Sequence, residues 1–459
     1  MDVAPWIVAL AAALAFAATP ARAGEPGMLP FAAEERVLGN GLTVVVVPYE
    51  SAGLVSVATI VRAGSRLEPA GVPAGLAHVV EHMAHRGGQR FDAPAYARLM
   101  QSFGADGSAL VTDDWTGYFV TAPAPALERV LEAEADRVTG MAFTAADYRL
   151  EAAAVQGEYR RTVADPAFEA RSLMRGLAFP LAGYGHDPIG RASDVAALPL
   201  AYDAALGFYR QWYRPDNATV LVVGDVEPGR AAAQVERAFG GWSGSAPAFE
   251  PPVEAAQFAP RGAVRSDWPV PTAPVVLVAW RAPALAGPDP AGAAEFAALD
   301  VATELLFGPV SPLQRELVVE RRVAESMAVE LRPRRDPFLA IVELRGRSGG
   351  GLGATDADLL RGAVRQAAAA LALAPPEPSR VAAVKSRRRA LFRRSLDSTE
   401  GVALALAPFV SLPGGLASLS RYEAALEAVT PEAVQAAAAR WLVDAGVIEV
   451  IVQRGAGGP

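Results

Sequence analysis

The sequence predicts an α+β protein made of two related halves, each an antiparallel-rich sheet packed with helices. Three observations carry this expectation. Runs rich in β-branched residues, such as "GLTVVVVPY" and "LVSVATIVRAG", are bounded by Gly, Pro and Ser and stand in groups among groups of helical stretches. The chain has 459 residues, too many for one ordinary core and comfortable for two of about 200 residues each. Finally, "GFYRQWYRPDNATVLVVGD" is echoed near the C-terminus by "AAARWLVDAGVIEVIVQRG". Each is a helix ending in Trp (Trp212, Trp441), a short polar turn and an apolar strand, the mark of a unit of about 200 residues used twice.

Taken in order, the chain opens with "WIVALAAALAFAATPARA" (Trp6 to Ala23), an apolar run closed by the small-x-small site Ala21-Arg22-Ala23. It reads as a secretory signal peptide, residues 1–23, cleaved before Gly24. With a composition rich in Ala, Arg and Gly, which suggests a GC-rich bacterial genome, export points to the periplasm. No later stretch reaches the roughly 18 uncharged apolar residues that a membrane span needs. The first domain, 24–247, begins with the two strands already quoted, joined across a turn at "YESAG", then a histidine-rich helix. Next come a helix at "PAYARLMQSFG", a β pair at "SALVT" and "TGYFVTAP", a helix at "PALERVLEAEADRVTG" and a long helix from Thr144 to Asp165 with a Thr-x-x-Asp start. The Gly-, Ser- and Pro-rich loop Gly240 to Pro252 marks the boundary, and the second domain, 248–459, replays the first from "APVVLVAWRAPA" onward.

A net charge of −8 gives no electrostatic case for nucleic acid. The absence of Cys excludes disulfides and thiolate chemistry. Chemistry concentrates instead in "GLAHVVEHMAHRGG", which holds three of the four histidines, His78, His82 and His85. On a helix, His78 and His82 stand one turn apart on one face, with Glu81 on the flank, all within an arc of about 100°. Two imidazoles so placed can share one metal ion, and the flanking carboxylate can reach a water in an open coordination position. H-x-x-E-H is the inverzincin signature. A third ligand is needed, and the long helix offers Glu151 and Glu158. Seven residues apart, they share a face roughly 10 Å apart along the axis, and spacing does not choose between them.

With these residues in place the chain resembles the pitrilysin/insulinase-type zinc peptidases, most closely their short, two-domain, mitochondrial-processing-peptidase-like branch. The resemblance rests on "LGNGLTVVVVP", "AGSRLEPAGVPAGLAHVVEHM", the Glu151/Glu158 pair, "YGHDPIGRASDVAALP" and "FYRQWYRPDNATVLVVGDVEP". It implies one zinc ion per chain on His78, His82 and Glu158, Glu81 as general base, and Glu151 as a supporting carboxylate that orients the site. It also implies two α/β-roll domains, with hydrolysis of peptides or unfolded segments inside a closed chamber. A non-catalytic structural or binding subunit of the same fold is the alternative.

Three departures shape the expectation. Where such peptidases often carry Asn-Ala on a substrate-binding strand, this chain has Ser108 and Ala109. At His85 an apolar residue is usual, and His85 is read not as a metal ligand but as a surface histidine or one that supports the site from behind. In the second domain an Arg and a Tyr seven residues apart are expected to grip the substrate at the facing subunit's zinc, yet Val318 and Glu325 stand there. Arg321 and Arg322 are the nearby substitute cations. A partner subunit that lacks zinc but supplies the Arg and Tyr is therefore expected. "GRSGGGLGAT" lacks the ending of a phosphate loop, "KSRRRALFRR" reads as a solvated or partner-facing surface, and Asp113 and Asp114 sit in a tight turn without glycosidase geometry.

Overall fold

The computed structural model describes residues 27–180, 183–244, 262–286, 290–347 and 354–454. The expected signal peptide and domain boundary, and most of the glycine-rich "GRSGGGLGAT" loop, lie outside them. The strands are β1 (Glu34–Val37), β2 (Thr43–Pro48), β3 (Leu54–Val61), β4 (Asp106–Val111), β5 (Thr116–Pro123), β6 (Ala218–Gly224), β7 (Gly262–Trp268), β8 (Val275–Ala282), β9 (Ala324–Glu330), β10 (Phe338–Gly346) and β11 (Ile448–Arg454). They form two sheets, β1-β2-β6-β3-β5-β4 and β7-β11-β8-β10-β9. Each sheet has one parallel pair, β2 with β6 and β7 with β11. The remaining pairings are antiparallel. From β2 onward the two orders and strand senses match one for one, so the fold is α+β and its duplication extends to sheet topology. The paired helices also match: Tyr202–Trp212 leads into β6, and Pro431–Trp441 leads into β11.

The turn expected at "YESAG" falls at Ala52 and Gly53, but β2 and β3 are not neighbours in the sheet. β6 lies between them, parallel to β2 and antiparallel to β3. The reason is burial. β2 reads as continuous Val because both of its faces are covered, and such a strand belongs inside a sheet. Val44 and Val46 enter one core while Val45 and Val47 enter another. In β6 the same alternation sends Val220 and Val222 one way and Leu221 and Val223 the other.

The halves cover each other reciprocally. The helix Thr399–Val410 of the second half lies on β3, β5 and β6, and the helix Pro166–Ala178 of the first half lies on β7, β8 and β11. A helical stretch, Ala291–Glu320, is long and apolar enough to cross a membrane, but 72% of its apolar 18-residue window is buried within the fold. Phe296, Leu299, Val301 and Leu305 of this stretch are core residues. The basic run is largely neutralised: Arg387 pairs with Glu304, Arg388 with Asp300 and Arg389 with Glu427.

Candidate metal centre

The histidine helix, Leu76–Met83, is short, and its own residues supply no side-chain cap. Gly75 begins it at φ +105°, a conformation that side chains with a Cβ rarely adopt. The cap comes from Glu68. Its Oε2 accepts from the backbone N–H of Gly75 at 2.8 Å and its Oε1 from that of Ala77 at 2.9 Å. Carboxyl oxygens at a helix N-terminus satisfy orphan backbone donors. Burial pushes the Glu68 carboxyl up to about 8 against those two backbone donors, and His186 Nε2 stands 3.5 Å from Oε2. Leu76, Val79, Val80 and Met83 anchor the opposite face in the core, so the helix presents His78 and His82 outward at a fixed rotation.

The carboxylate helix, Ala145–Thr162, is started by the Thr144 side chain, which accepts from the Asp147 N–H. It packs across the histidine helix and separates the roles of its two glutamates. Glu158 reaches the outer nitrogens, with Oε2 3.4 Å from His78 Nε2 and Oε1 3.7 Å from His82 Nε2. Glu151 stands behind, Oε2 3.0 Å from His82 Nδ1 and Oε1 2.5 Å from Arg86 Nε. One ligand atom from each of His78, His82 and Glu158 lies within 4.8 Å of the others. Two imidazoles and a carboxylate are the donor set of a catalytic zinc site with one position left open, and the residues fit that ion. Burial, with His82 next in weight, holds the His78 imidazole below its ordinary pKa, which keeps it neutral and able to ligate. Among the described residues His78 Nδ1 is buried without a hydrogen-bond partner, so Glu151 steadies only His82 of the pair.

Glu81 is buried beside these groups, and its Oε2 lies 4.0 Å from both His78 Nε2 and His82 Nε2. Its other oxygen, Oε1, is 3.2 Å from His85 Nε2. Burial alone would push this carboxyl up; the His85 hydrogen bond and the three imidazoles outweigh it and leave it below the ordinary value. Of the two expected places for His85, surface or support, this contact is the second.

Ser108 and Ala109 lie on β4, the edge strand of the first sheet, which the histidine helix touches. Ser108 is exposed and its Oγ donates to Glu400 at 3.3 Å. In the second half, Val318 packs against the core from the helical turn Arg315–Glu320, and Glu325 is exposed on β9, the edge strand equivalent to β4. Arg321 is paired with Glu316 at 2.9 Å, and Arg322 Nε donates weakly to the Val319 carbonyl.

The Asp113–Asp114 turn joins β4 to β5 and pins the halves together. Asp113 is bound by Arg175 at 2.8 and 3.2 Å and by Arg334 of the second half. Asp114 accepts from Arg66 at 3.0 Å and from Tyr184 at 2.8 Å, and Arg66 continues to Asp336 at 2.8 Å. Arg66 lies two residues before Glu68, so this network reaches the cap of the histidine helix. Sequence reasoning missed Glu68, Arg86 and the clamp. An acidic residue shortly ahead of a helix that opens on Gly and lacks its own cap was the available signal for Glu68.

The profile described as "Insulinase (Peptidase family M16)" matches residues 44–180, and the one described as "Peptidase M16 inactive domain" matches residues 199–379. The chain belongs to peptidase family M16. Among curated M16-like relatives, a Helicobacter pylori protein named zinc protease PqqE is 31% identical over 195 residues, 42% of this chain and 43% of that one. An Arabidopsis thaliana protein named zinc protease PQQL-like is 29% identical over 209 residues, 43% of this chain and 21% of that one. The chain thus spans less than half the length of these relatives. Among solved structures, a protease from Helicobacter pylori superposes with a TM-score of 0.78 at 23% identity, covering 92% of this chain and 99% of that one. A peptidase M16 inactive domain from Pseudomonas fluorescens gives 0.74 at 19% identity, covering 93% and 99%. Both share the M16 fold.

Proposed function

We propose that this M16 chain is the zinc-binding, catalytic subunit of an exported endopeptidase that cleaves peptides or unfolded segments. The observation that carries the reading is the convergence of His78, His82 and Glu158, with Glu81 Oε2 equidistant from the two imidazole nitrogens. A zinc ion held by His78, His82 and Glu158 would supply Lewis acidity and bring the pKa of a water toward neutrality. Glu81 takes a proton from the attacking water at Oε2 and returns it to the leaving amine. Glu151 holds the His82 ring by its Nδ1, so that Nε2 faces outward. The outer edge of β4, carrying Ser108 and Ala109, offers unpaired backbone groups to which an extended peptide can add as a further strand.

The chain supplies no Arg and Tyr at Val318 and Glu325, and those groups are assigned to a related subunit facing this zinc site in a hetero-oligomer. Periplasmic placement rests on the Trp6 to Ala23 run. The test is direct: the purified chain should contain one zinc, and Glu81→Gln should keep that zinc while losing hydrolysis of an unstructured peptide. A chain without stoichiometric zinc, or a Glu81→Gln variant with full activity, overturns the reading.

A further inference from the structure

We infer that His85 is a positioning residue that holds the Glu81 carboxylate in its working orientation. The inference rests on the peptidase reading and adds to it a residue at a position where an apolar side chain is usual. The geometry divides the two oxygens of one carboxylate between two tasks. Oε1 accepts the hydrogen bond that His85 donates from Nε2, at 3.2 Å. Oε2 is left 4.0 Å from His78 Nε2 and 4.0 Å from His82 Nε2, facing the space that those nitrogens and Glu158 enclose.

Among the described residues, the His85 bond is the side-chain hydrogen bond that Glu81 receives, although Glu81 is 6% exposed. A buried carboxylate without fixed donors has several rotamers of similar energy, and its last torsion is broad. A single donor on one oxygen selects among them, and the other oxygen is aimed as a consequence. The sequence spacing makes this possible. His85 follows Glu81 by four residues, and the helix passes into a tighter turn at Ala84–Arg86, which keeps His85 beside Glu81. The His85 side chain is 53% exposed, so it is held by this bond and not by core packing, and its replacement leaves the core intact. An apolar residue at position 85 would donate nothing to Oε1.

The test compares His85→Phe and His85→Gln with the wild type, full length and zinc-loaded. His85→Phe should lower kcat by up to about a hundredfold, the scale set by a misplaced group, with KM and zinc content unchanged. His85→Gln, which keeps an N–H at similar reach, should restore most of the loss. A second readout is independent of turnover. In protein labelled with 15N-histidine, before and after chelation of the metal, the Nε2 resonance of His85 should shift when Glu81 is replaced by Gln. An active, zinc-dependent wild type whose kcat is the same in His85→Phe overturns the positioning role alone, as does a His85 resonance indifferent to Glu81→Gln. A zinc-loaded wild type with no hydrolysis that Glu81→Gln abolishes overturns the peptidase reading itself and the role of His85 with it.

Discussion

Asp113→Asn is the change that most directly probes how the two halves hold the histidine helix. The substitution keeps shape and removes charge. Asp113 is 2% exposed and carries two guanidinium partners, Arg175 from the first half and Arg334 from the second, each less than a tenth exposed. Burial alone would push its carboxyl up, but the two arginines hold it well below the ordinary carboxylate range. Removing one member of a buried pair costs about 3–5 kcal/mol, because the partner charge stays buried and uncompensated. Here one substitution weakens the hold on two cations at once, but Arg175 keeps the Tyr184 and His186 carbonyls and Arg334 stands 3.9 Å from Glu330, which places the loss within that range and not above it. At about 2–4 °C per kcal/mol for a half of about 200 residues, a loss of about 3–5 kcal/mol lowers the melting temperature by roughly 6–20 °C. The sign of the pH dependence follows from the depressed carboxyl: its contribution is complete above the unfolded-chain value of 3.8 and is lost only as pH falls toward the native value. The penalty should therefore be the same at pH 8 and pH 5. Thermal and urea unfolding followed by circular dichroism, with the emission of buried Trp115 next to the clamp as a second probe, measure it. A loss under about 1 kcal/mol would refute the clamp as a stabilising element.

Glu68→Gln should flatten the pH dependence of stability measured without metal. In the wild type the native Glu68 keeps its proton up to about pH 8, whereas the unfolded chain releases it near 4.5, so its contribution is full below 4.5 and declines as pH rises to 8. Identical slopes in both proteins would remove Glu68 from that role. Glu151→Gln should weaken zinc binding by about 10- to 100-fold in competition with a chelating dye, the usual cost of losing a partner of a ligating His; unchanged affinity would show that the His82–Glu151 contact does not support the metal. Peptide hydrolysis by the purified chain should be weak and rise on adding a related subunit that carries Arg and Tyr at the positions of Val318 and Glu325. Full activity from the chain alone would exclude the division of the site between subunits.

What the sequence disclosed followed the range of the interactions involved. The facing of His78 and His82 is a local property of helical rise and could be read from four residues of spacing. Glu151 and Glu158 share a helix face, so spacing was mute, and only the crossing of two helices puts Glu158 at the Nε2 atoms and Glu151 at an Nδ1. The neighbour of β2 is β6, which lies far along the chain, and the local turn at "YESAG" carried no information about that pairing. The acidic turn at Asp113 looked inert because its partner Arg334 comes from the other half. Spacing left His85 as either a surface histidine or one that supports the site, because whether a half-exposed histidine leans toward a carboxylate or toward water depends on a side-chain torsion that spacing does not set.

The duplication itself bears on the division of labour. The five strands β2-β6-β3-β5-β4 and β7-β11-β8-β10-β9 have the same order and senses, so the open edges β4 and β9 are equivalent places in the two halves. Beside β4 stands a helix with two histidines and a glutamate. The second half contains no histidine at all, so the edge of β9 has no metal centre of its own to serve. An exposed, unpaired edge strand is a liability that proteins cover, charge or use, and β9 places charged Glu325 where a substrate-gripping Tyr would be expected. A fold that repeats its framework but carries histidines in one half alone offers one edge beside which His78, His82 and Glu158 come together. In the proposed hetero-oligomer, Val318 and Glu325 would face the other subunit's site and not this chain's histidine helix, so the proposed metal centre does not depend on the side chains at those two positions.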